Sequence, residues 1–435
     1  MEGCEKSYAD YKCTQKIKQK SCQKAFFNRF FIIFVAMEDF TDIDWLWIDA
    51  NLNEDVSRLR LKHGSDRKRM FEIVQIDCRQ RYRRKLAETL RRYPRFVFDS
   101  TLAGEQSTSD LLARFHSSLV RSGDKVLDMT GGLGIDALHL AEAGAEVLMA
   151  ELDEHRASCA RHNVRLLESG NLSAVCGDSV ELLKECADDS FDVIYIDPAR
   201  RGEHGERLYA LSQCRPDVTA LLDEMLRVAP TVIIKASPML DITQIRRELH
   251  SISEIVSVGT RDECKEVDII CRRDRNDDCH LKAVTILSDG QISEFELVKP
   301  YESIAPGYGL PKVGGYIYEP YPAVAKLNVG QEICSQTGVR QIAANTHFYV
   351  SDCFNDLFPG QGYEISDLSV MSKRTLKELA QKYPRLDVTT RNFPMTAAEL
   401  TKRMKVKPSG IIRLLACKDS GGENLLIVCH RPAED

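Results

Sequence analysis

Asp128-Met129-Thr130-Gly131-Gly132-Leu133-Gly134-Ile135-Asp136 follows an apolar run at 125–128 and opens an amphipathic one at 135–143. Its glycines allow a tight turn and a close approach of backbone to a ligand. A glycine-rich loop alone is a weak signal, but three acidic sites follow it in order. Glu151 ends the next apolar run, 23 residues after Asp128, where a carboxylate can accept both hydroxyls of a ribose. Gly177-Asp178 ends the third run, in position to meet an adenine amino group. Asp197-Pro198-Ala199-Arg200-Arg201 ends the fourth. The loop lacks G-x-G-x-x-G spacing, and Asp128 would repel a diphosphate while suiting an ammonium, which disfavours a dinucleotide.

The elements that must carry these residues alternate. Strands are predicted at 125–128, 146–151, 173–176, 191–197 and 231–235, with helices at 135–143, 155–167 and 218–228 between them. Two further strands, 255–258 and 267–271, read as a closing antiparallel hairpin whose turn carries Cys264-Lys265-Glu266. Alternation of this kind predicts an α/β fold, a mostly parallel seven-stranded sheet of Rossmann-like type with helices on both faces. The order of acidic sites is that of class I methyltransferases, so the cofactor is expected to be S-adenosylmethionine. Its expected contacts are Asp128, Thr130, Gly131, Gly132, Gly134, Asp136, Glu151, Leu152, Asp178 and Ser179. Open parallel sheets bind substrate at the carboxyl ends of their strands, so Asp197, Pro198 and Arg200 are the expected catalytic residues. Ala199 and Arg200 stand where base-amino methyltransferases carry a proline and a stacking aromatic, which leaves stacking to other residues or to the Arg200 guanidinium. The Asp-Pro-Ala-Arg spelling is also similar to enzymes that methylate C5 of uridine. That chemistry needs a thiolate near the end of the fifth strand, where Lys235-Ala236-Ser237-Pro238 has no cysteine; Cys264 is an outside candidate.

The remainder of the 435 residues implies further domains. Net charge is −6, but Arg58 to Arg95 holds 14 Lys/Arg against 4 Asp/Glu and Lys373 to Arg413 holds 11 against 3. Such flanks suit a polyanion, although solvated helix faces look the same in sequence. The 15 cysteines show no C-x-x-C pair, so neither a metal site nor a disulfide framework is expected, and a reducing, cytoplasmic setting is. No apolar run is long enough to span a membrane. Residues 1–36, basic then apolar, have the outline of a signal peptide but read better as a poorly ordered extension ahead of Met37. After about 275, strands are expected at 280–287 and 292–298 around an Asp289-Gly290 turn, then a helix at 323–337. From Tyr363 the order strand, helix, strand, helix, hairpin is expected.

The chain resembles the bacterial methyltransferases that carry a small ferredoxin-like segment and a C-terminal THUMP-like domain. The matching residues are Glu105-Gln106-Ser107-Thr108-Ser109, the 128–136 loop, Asp197-Pro-Ala-Arg-Arg201, Lys235-Ala-Ser-Pro-Met-Leu-Asp241, Glu263-Cys-Lys-Glu266, Tyr318-Glu-Pro320 and Arg391-Asn-Phe-Pro394. The resemblance adds Gln106 and Ser107 to the expected cofactor contacts. It implies a helical domain at 37–120, a methyltransferase domain at 121–275, a ferredoxin-like segment at 276–355 and an α+β THUMP-like unit at 356–435. It also implies an RNA substrate, chiefly tRNA; with the Asp197-Pro198 site, the expected activity is methylation of tRNA or rRNA at a base nitrogen. Two other readings stand beside it: a methyltransferase for a small molecule or protein, and an RNA-binding protein of this fold with weak catalysis.

Overall fold

The computed structural model describes residues 40–200, 210–274, 279–288, 290–297 and 307–432. The expected extension at 1–36, Arg201 and the Asp289 half of the expected turn lie outside the described residues. Two compact units divide the chain, one reaching Pro198 and including Leu221–Val232, the other formed by Ala199–Ala220 and the chain from Ile233.

The first unit begins with six helices: α1 (Trp45–Ala50), α2 (Val56–His63), α3 (Arg67–Tyr82), α4 (Ala87–Arg92), α5 (Thr101–Gln106) and α6 (Asp110–Ser117). Capping starts most of them. Asp44, Asp55, Asp66, Ser100 and Ser109 each accept a backbone N–H from three residues on, satisfying donors the helix itself cannot. The strand–helix alternation then follows: β1 (Lys125–Asp128), α7 (Ile135–Glu142), β2 (Glu146–Glu151), α8 (Glu154–Arg165), β3 (Leu172–Cys176), α9 (Ser179–Glu185) and β4 (Val193–Ile196). These strands lie parallel in the order β4-β1-β2-β3. The register sets Lys125 beside Glu146, Val126 beside Val193 and Glu151 beside Cys176. Parallel strands end at one edge, so Asp128, Glu151, Asp178 and Asp197 all come to that edge.

Helix α10 (Val218–Val228) and strand β5 (Thr231–Ala236) lie where the chain passes between units. In the second unit β6 (Ile252–Thr260) and β7 (Cys264–Arg272) form the expected antiparallel hairpin, preceded by α11 (Ile242–Glu248). The hairpin is longer than expected, and its turn lies at 261–263. Cys264 is already in β7, opposite Gly259, rather than in the turn. Strand β8 (His280–Ile286) runs parallel to β6, and β9 (Ile292–Glu296) antiparallel to β8. Within this unit the strands therefore run in the order β9-β8-β6-β7, two more than the expected closing hairpin. Alternating apolar residues mark 280–286 as a strand, but which sheet it joins is a tertiary choice that the pattern does not encode.

A seven-stranded sheet completes this unit. Its strands are β10 (Tyr316–Pro320), β11 (Arg340–Ala343), β12 (Thr346–Ser351), β13 (Gly360–Val370), β14 (Asp387–Arg391), β15 (Ile412–Lys418) and β16 (Asn424–His430), in the order β11-β12-β10-β13-β16-β15-β14. The β15–β16 hairpin is buried on both faces. Leu415, Cys417, Leu425, Ile427 and Cys429 enter one core, while Leu414, Ala416, Leu426 and Val428 enter the other, as a side-chain period of two requires. Leu376 and Leu379 of α14 (Lys373–Lys382) and Leu400 and Met404 of α15 (Ala397–Met404) close the second core. The helix expected at 323–337 is two, α12 (Pro322–Lys326) and α13 (Gly330–Thr337). Between them Asn328 takes a left-handed conformation with φ of 55°, which stops α-helix propagation. No helix among the described residues is long and apolar enough to cross a membrane.

Candidate cofactor site

The site is built on the carboxyl edge of β4-β1-β2-β3. Asp128 ends β1 and is 1% exposed. Its carboxylate accepts the Thr130 N–H at 2.9 Å, which pins the first turn of the glycine loop. The Thr130 hydroxyl accepts the Asp197 N–H at 2.7 Å, so the loop and the end of β4 are tied directly. Gly131 crosses over β2, its N–H donating to the Ala150 carbonyl at 2.9 Å. A Cβ there would approach Met149 Cβ at 3.1 Å and the Ala150 oxygen at 3.3 Å. Gly134 has φ of +86° as the residue preceding α7, a conformation open to glycine. Asn163 of α8, wholly buried, donates to the carbonyls of Leu133 and Val97 at 3.1 and 3.0 Å. The loop is thus held against the strand beneath it and the segment before α5.

Glu151 ends β2. One oxygen accepts the Gly132 N–H and the other the Asp153 N–H, each at 2.9 Å, and Arg156 stands 3.5 Å away. Those bonds fix the carboxylate plane and leave each oxygen a further lone pair for a ribose hydroxyl. Leu152, 70% exposed beside it, offers an apolar surface to a flat ring. Asp178 caps α9 through the Val180 N–H at 2.8 Å and is exposed at the end of β3; Ser179 behind it is buried.

Burial makes the acidic edge electrostatically costly. It pushes Asp128 up to about 8, and the negative charges of Asp136, Asp197 and Glu151 push the same way, opposed by the Thr130 N–H. A bound ammonium would relieve that repulsion. A ribose, an adenine and an ammonium are what this set of groups fits, and S-adenosylmethionine carries all three.

Of the expected contacts, Gln106 is the exposed last residue of α5, and the Ser107 hydroxyl donates to the Gly104 carbonyl of its own segment. The residue of that motif that reaches the loop helix is Thr108, whose hydroxyl donates to Asp136 at 2.5 Å. The other oxygen of Asp136 lies 2.7 Å from Nδ1 of His116, a residue of α6. Neither Thr108 nor His116 was expected at the site. The signal available for His116 is its place among Leu112, Phe115 and Leu119, a polar group on an otherwise apolar face. Pro198 is buried and Asp197 half-buried; Ala199 and Arg200 pair as strand with Arg215 and Cys214 in the second unit. Cys264 has its sulfur 3.7 and 3.6 Å from the carbonyls of Val258 and Glu266, and burial pushes its thiol up to about 11.

Comparisons with known proteins agree in kind. Residues 123–271 match the family described as RNA cap guanine-N2 methyltransferase, 316–359 a ferredoxin-like domain and 360–431 a THUMP domain-like family. A crystal structure from Porphyromonas gingivalis, described as a methyltransferase, superposes with a TM-score of 0.80 at 27% identity, covering 92% of this chain and all of that one. A Mycobacterium tuberculosis protein named as an S-adenosylmethionine-dependent methyltransferase is 22% identical over 320 residues, 73% of this chain and 84% of its own. The tRNA (uracil(54)-C(5))-methyltransferase of Pyrococcus abyssi is 27% identical over 161 residues, 37% of this chain and 35% of its own. A Methanocaldococcus jannaschii protein that is 33% identical over 93 residues is likewise matched over only 32% of its length.

Proposed function

We propose that this chain, an S-adenosylmethionine-dependent methyltransferase with ferredoxin-like and THUMP-like segments, methylates RNA at a base nitrogen, with tRNA the leading substrate and the cytoplasm its setting. The observation that carries the RNA reading is a basic surface on the THUMP-like region. Lys373, Arg374, Lys377, Lys382, Arg385, Arg391, Lys402, Arg403, Lys405 and Lys407 are all exposed there. A cationic face of this density neutralises phosphates and releases counterions. The family matched by the catalytic region acts on guanine N2, and the Pyrococcus relative acts on tRNA; both support the substrate class.

The bound cofactor supplies an already activated methyl group. The protein's part is to place the acceptor. Asp197, whose backbone is fixed by Thr130, orients the accepting nitrogen and stabilises the proton that this nitrogen loses to solvent as the N–C bond forms and the S–C bond breaks, while Pro198 holds the adjoining backbone. Arg200 serves substrate placement. A nitrogen acceptor needs no protein nucleophile. The second reading, attack on C5 of uracil, is favoured by the likeness to the Pyrococcus enzyme but needs a thiolate, and a half-buried Cys264 with a raised pKa is poorly suited to form one.

The test is single-turnover transfer of labelled methyl to bulk tRNA and rRNA at saturating cofactor. Asp197→Ala should lose on the order of a hundredfold in rate while still binding cofactor, and Cys264→Ala should stay active. A covalent adduct between the protein and 5-fluorouridine RNA, lost in Cys264→Ala, would replace the nitrogen reading with C5 chemistry.

A further inference from the structure

A buried polar chain runs behind the cofactor loop. The Thr108 hydroxyl donates to Oδ2 of Asp136 at 2.5 Å, and Nδ1 of His116 lies 2.7 Å from Oδ1. A carboxylate only accepts, so Nδ1 carries the proton and donates. The Tyr195 hydroxyl stands 3.2 Å from the same nitrogen. The His116 side chain is fully buried and that of Asp136 is 14% exposed. The chain spans three elements that the reaction must keep in register. Asp136 lies in the first turn of α7, two residues past Gly134; His116 belongs to α6. Tyr195 lies on β4, two residues before Asp197.

Asp128 and Asp136 flank the loop as two carboxylates that repel each other, and Asp136 is one of the charges that push Asp128 up. Left free, Asp136 would relieve the repulsion by turning away and the cation site would slacken. With one oxygen held by Thr108 and the other by His116 it cannot. An anion locked beforehand at the helix start binds a cation without reorganising. We infer that His116 is a positioning residue for the methionine end of S-adenosylmethionine, acting through Asp136, with Thr108 as its second anchor. The inference rests on the placement of the cofactor along the glycine loop described above.

Two thioethers separate this role from general support of the fold. S-adenosylhomocysteine carries the amino-acid end; 5′-methylthioadenosine has the same adenosine and sulfur without it. Calorimetry on the full chain should show His116→Leu weakening S-adenosylhomocysteine about tenfold and 5′-methylthioadenosine less than twofold. His116→Asn, whose amide can donate where Nδ1 does, should recover most of that loss. Thr108→Val, which removes a smaller group, should give a loss of the same selectivity but about threefold. The inference is overturned if both ligands weaken together, if neither does, or if Asn is no better than Leu. Asp128→Asn is the control for the placement itself. Unchanged S-adenosylhomocysteine affinity in that variant would remove the cofactor from this loop, whereas a loss there with His116→Leu unaffected would reject only the role of His116.

Discussion

Two segments of this chain are rich in Lys and Arg in sequence and differ in the burial of the acids that pair with them. Between residues 58 and 95 seven of the fourteen cations are bonded to acids or carbonyls, while Arg58, Lys62, Arg67, Lys68, Arg83, Arg84 and Arg91 are exposed. Asp77, 3% exposed, holds Arg60 and Arg81; Arg69 reaches Asp44 and Glu72; Arg92 pairs with Glu88 and Glu142, and Arg95 with Asp49. Arg79 donates to the carbonyls of Gln75, Pro94 and Phe96 and lies over the rings of Trp45 and Phe98. Burial draws its guanidinium down to about 10. Lys85 donates to the carbonyls of Gly104 and Glu105. These side chains staple short helices together, a task suited to the forked guanidinium. Between 373 and 413 every cation but the half-buried Arg413 is exposed. Four of them form ion pairs, Arg374 with Glu378, Lys382 with Asp367, and Arg391 and Arg413 with Glu319, and Arg385 donates to the Pro408 carbonyl. A count of charges therefore does not identify a nucleic-acid surface; the acids and carbonyls within reach of each cation decide it.

The largest effect expected from this contrast is on RNA affinity. Reversing Lys402, Arg403 and Lys405 to Glu should weaken tRNA binding on the order of a hundredfold at low salt and lower the salt slope by about 3. Reversing Arg83 and Arg84 to Glu in the first segment should change it less than threefold. Filter binding across a salt series measures both, and equal losses would erase the distinction. Truncation from Tyr363 is a poorer test, because β13 pairs with β10 and its removal breaks a shared sheet.

Next in size is a stability effect. Arg79→Ala should cost about 2–3 kcal/mol in denaturant unfolding, since it strands two or three carbonyls and unpacks Trp45. The same variant should bind tRNA normally. A stable Arg79→Ala with impaired RNA binding would mean that the first segment also serves the substrate.

The smallest effect separates both cationic segments from the acidic edge. Lys and Arg keep their charge between pH 6 and 8, so RNA affinity should be nearly flat there. Asp128 should not be. With its pKa raised to about 8, it is protonated at pH 6 and gains charge as pH rises, so S-adenosylhomocysteine affinity should climb by roughly tenfold from pH 6 to 8. The stability of the ligand-free protein should move the other way. A carboxyl whose folded pKa is raised contributes stability that is complete below its ordinary value near 3.8 and is lost as pH rises through about 8. Asp128→Asn should flatten both profiles; calorimetry and thermal melts at a series of pH values would show whether it does.

Much of the catalytic half is determined by local sequence. Apolar runs ending in Asp128, Glu151, Gly177-Asp178 and Asp197 specify parallel strands, and parallel strands bring their carboxyl ends to one edge whatever else the chain does. The closing hairpin and the strand–helix order after Tyr363 are legible for the same reason: side-chain period and turn residues are short-range properties. Tertiary structure alone decided the rest. That β8 and β9 extend the closing hairpin, that Thr108 and His116 brace Asp136, and that Arg92 meets Glu142 all depend on which residues distant in sequence come within a few ångströms. Hydrogen bonds and ion pairs act only at that range, and periodicity carries no record of a partner 20 or more residues away.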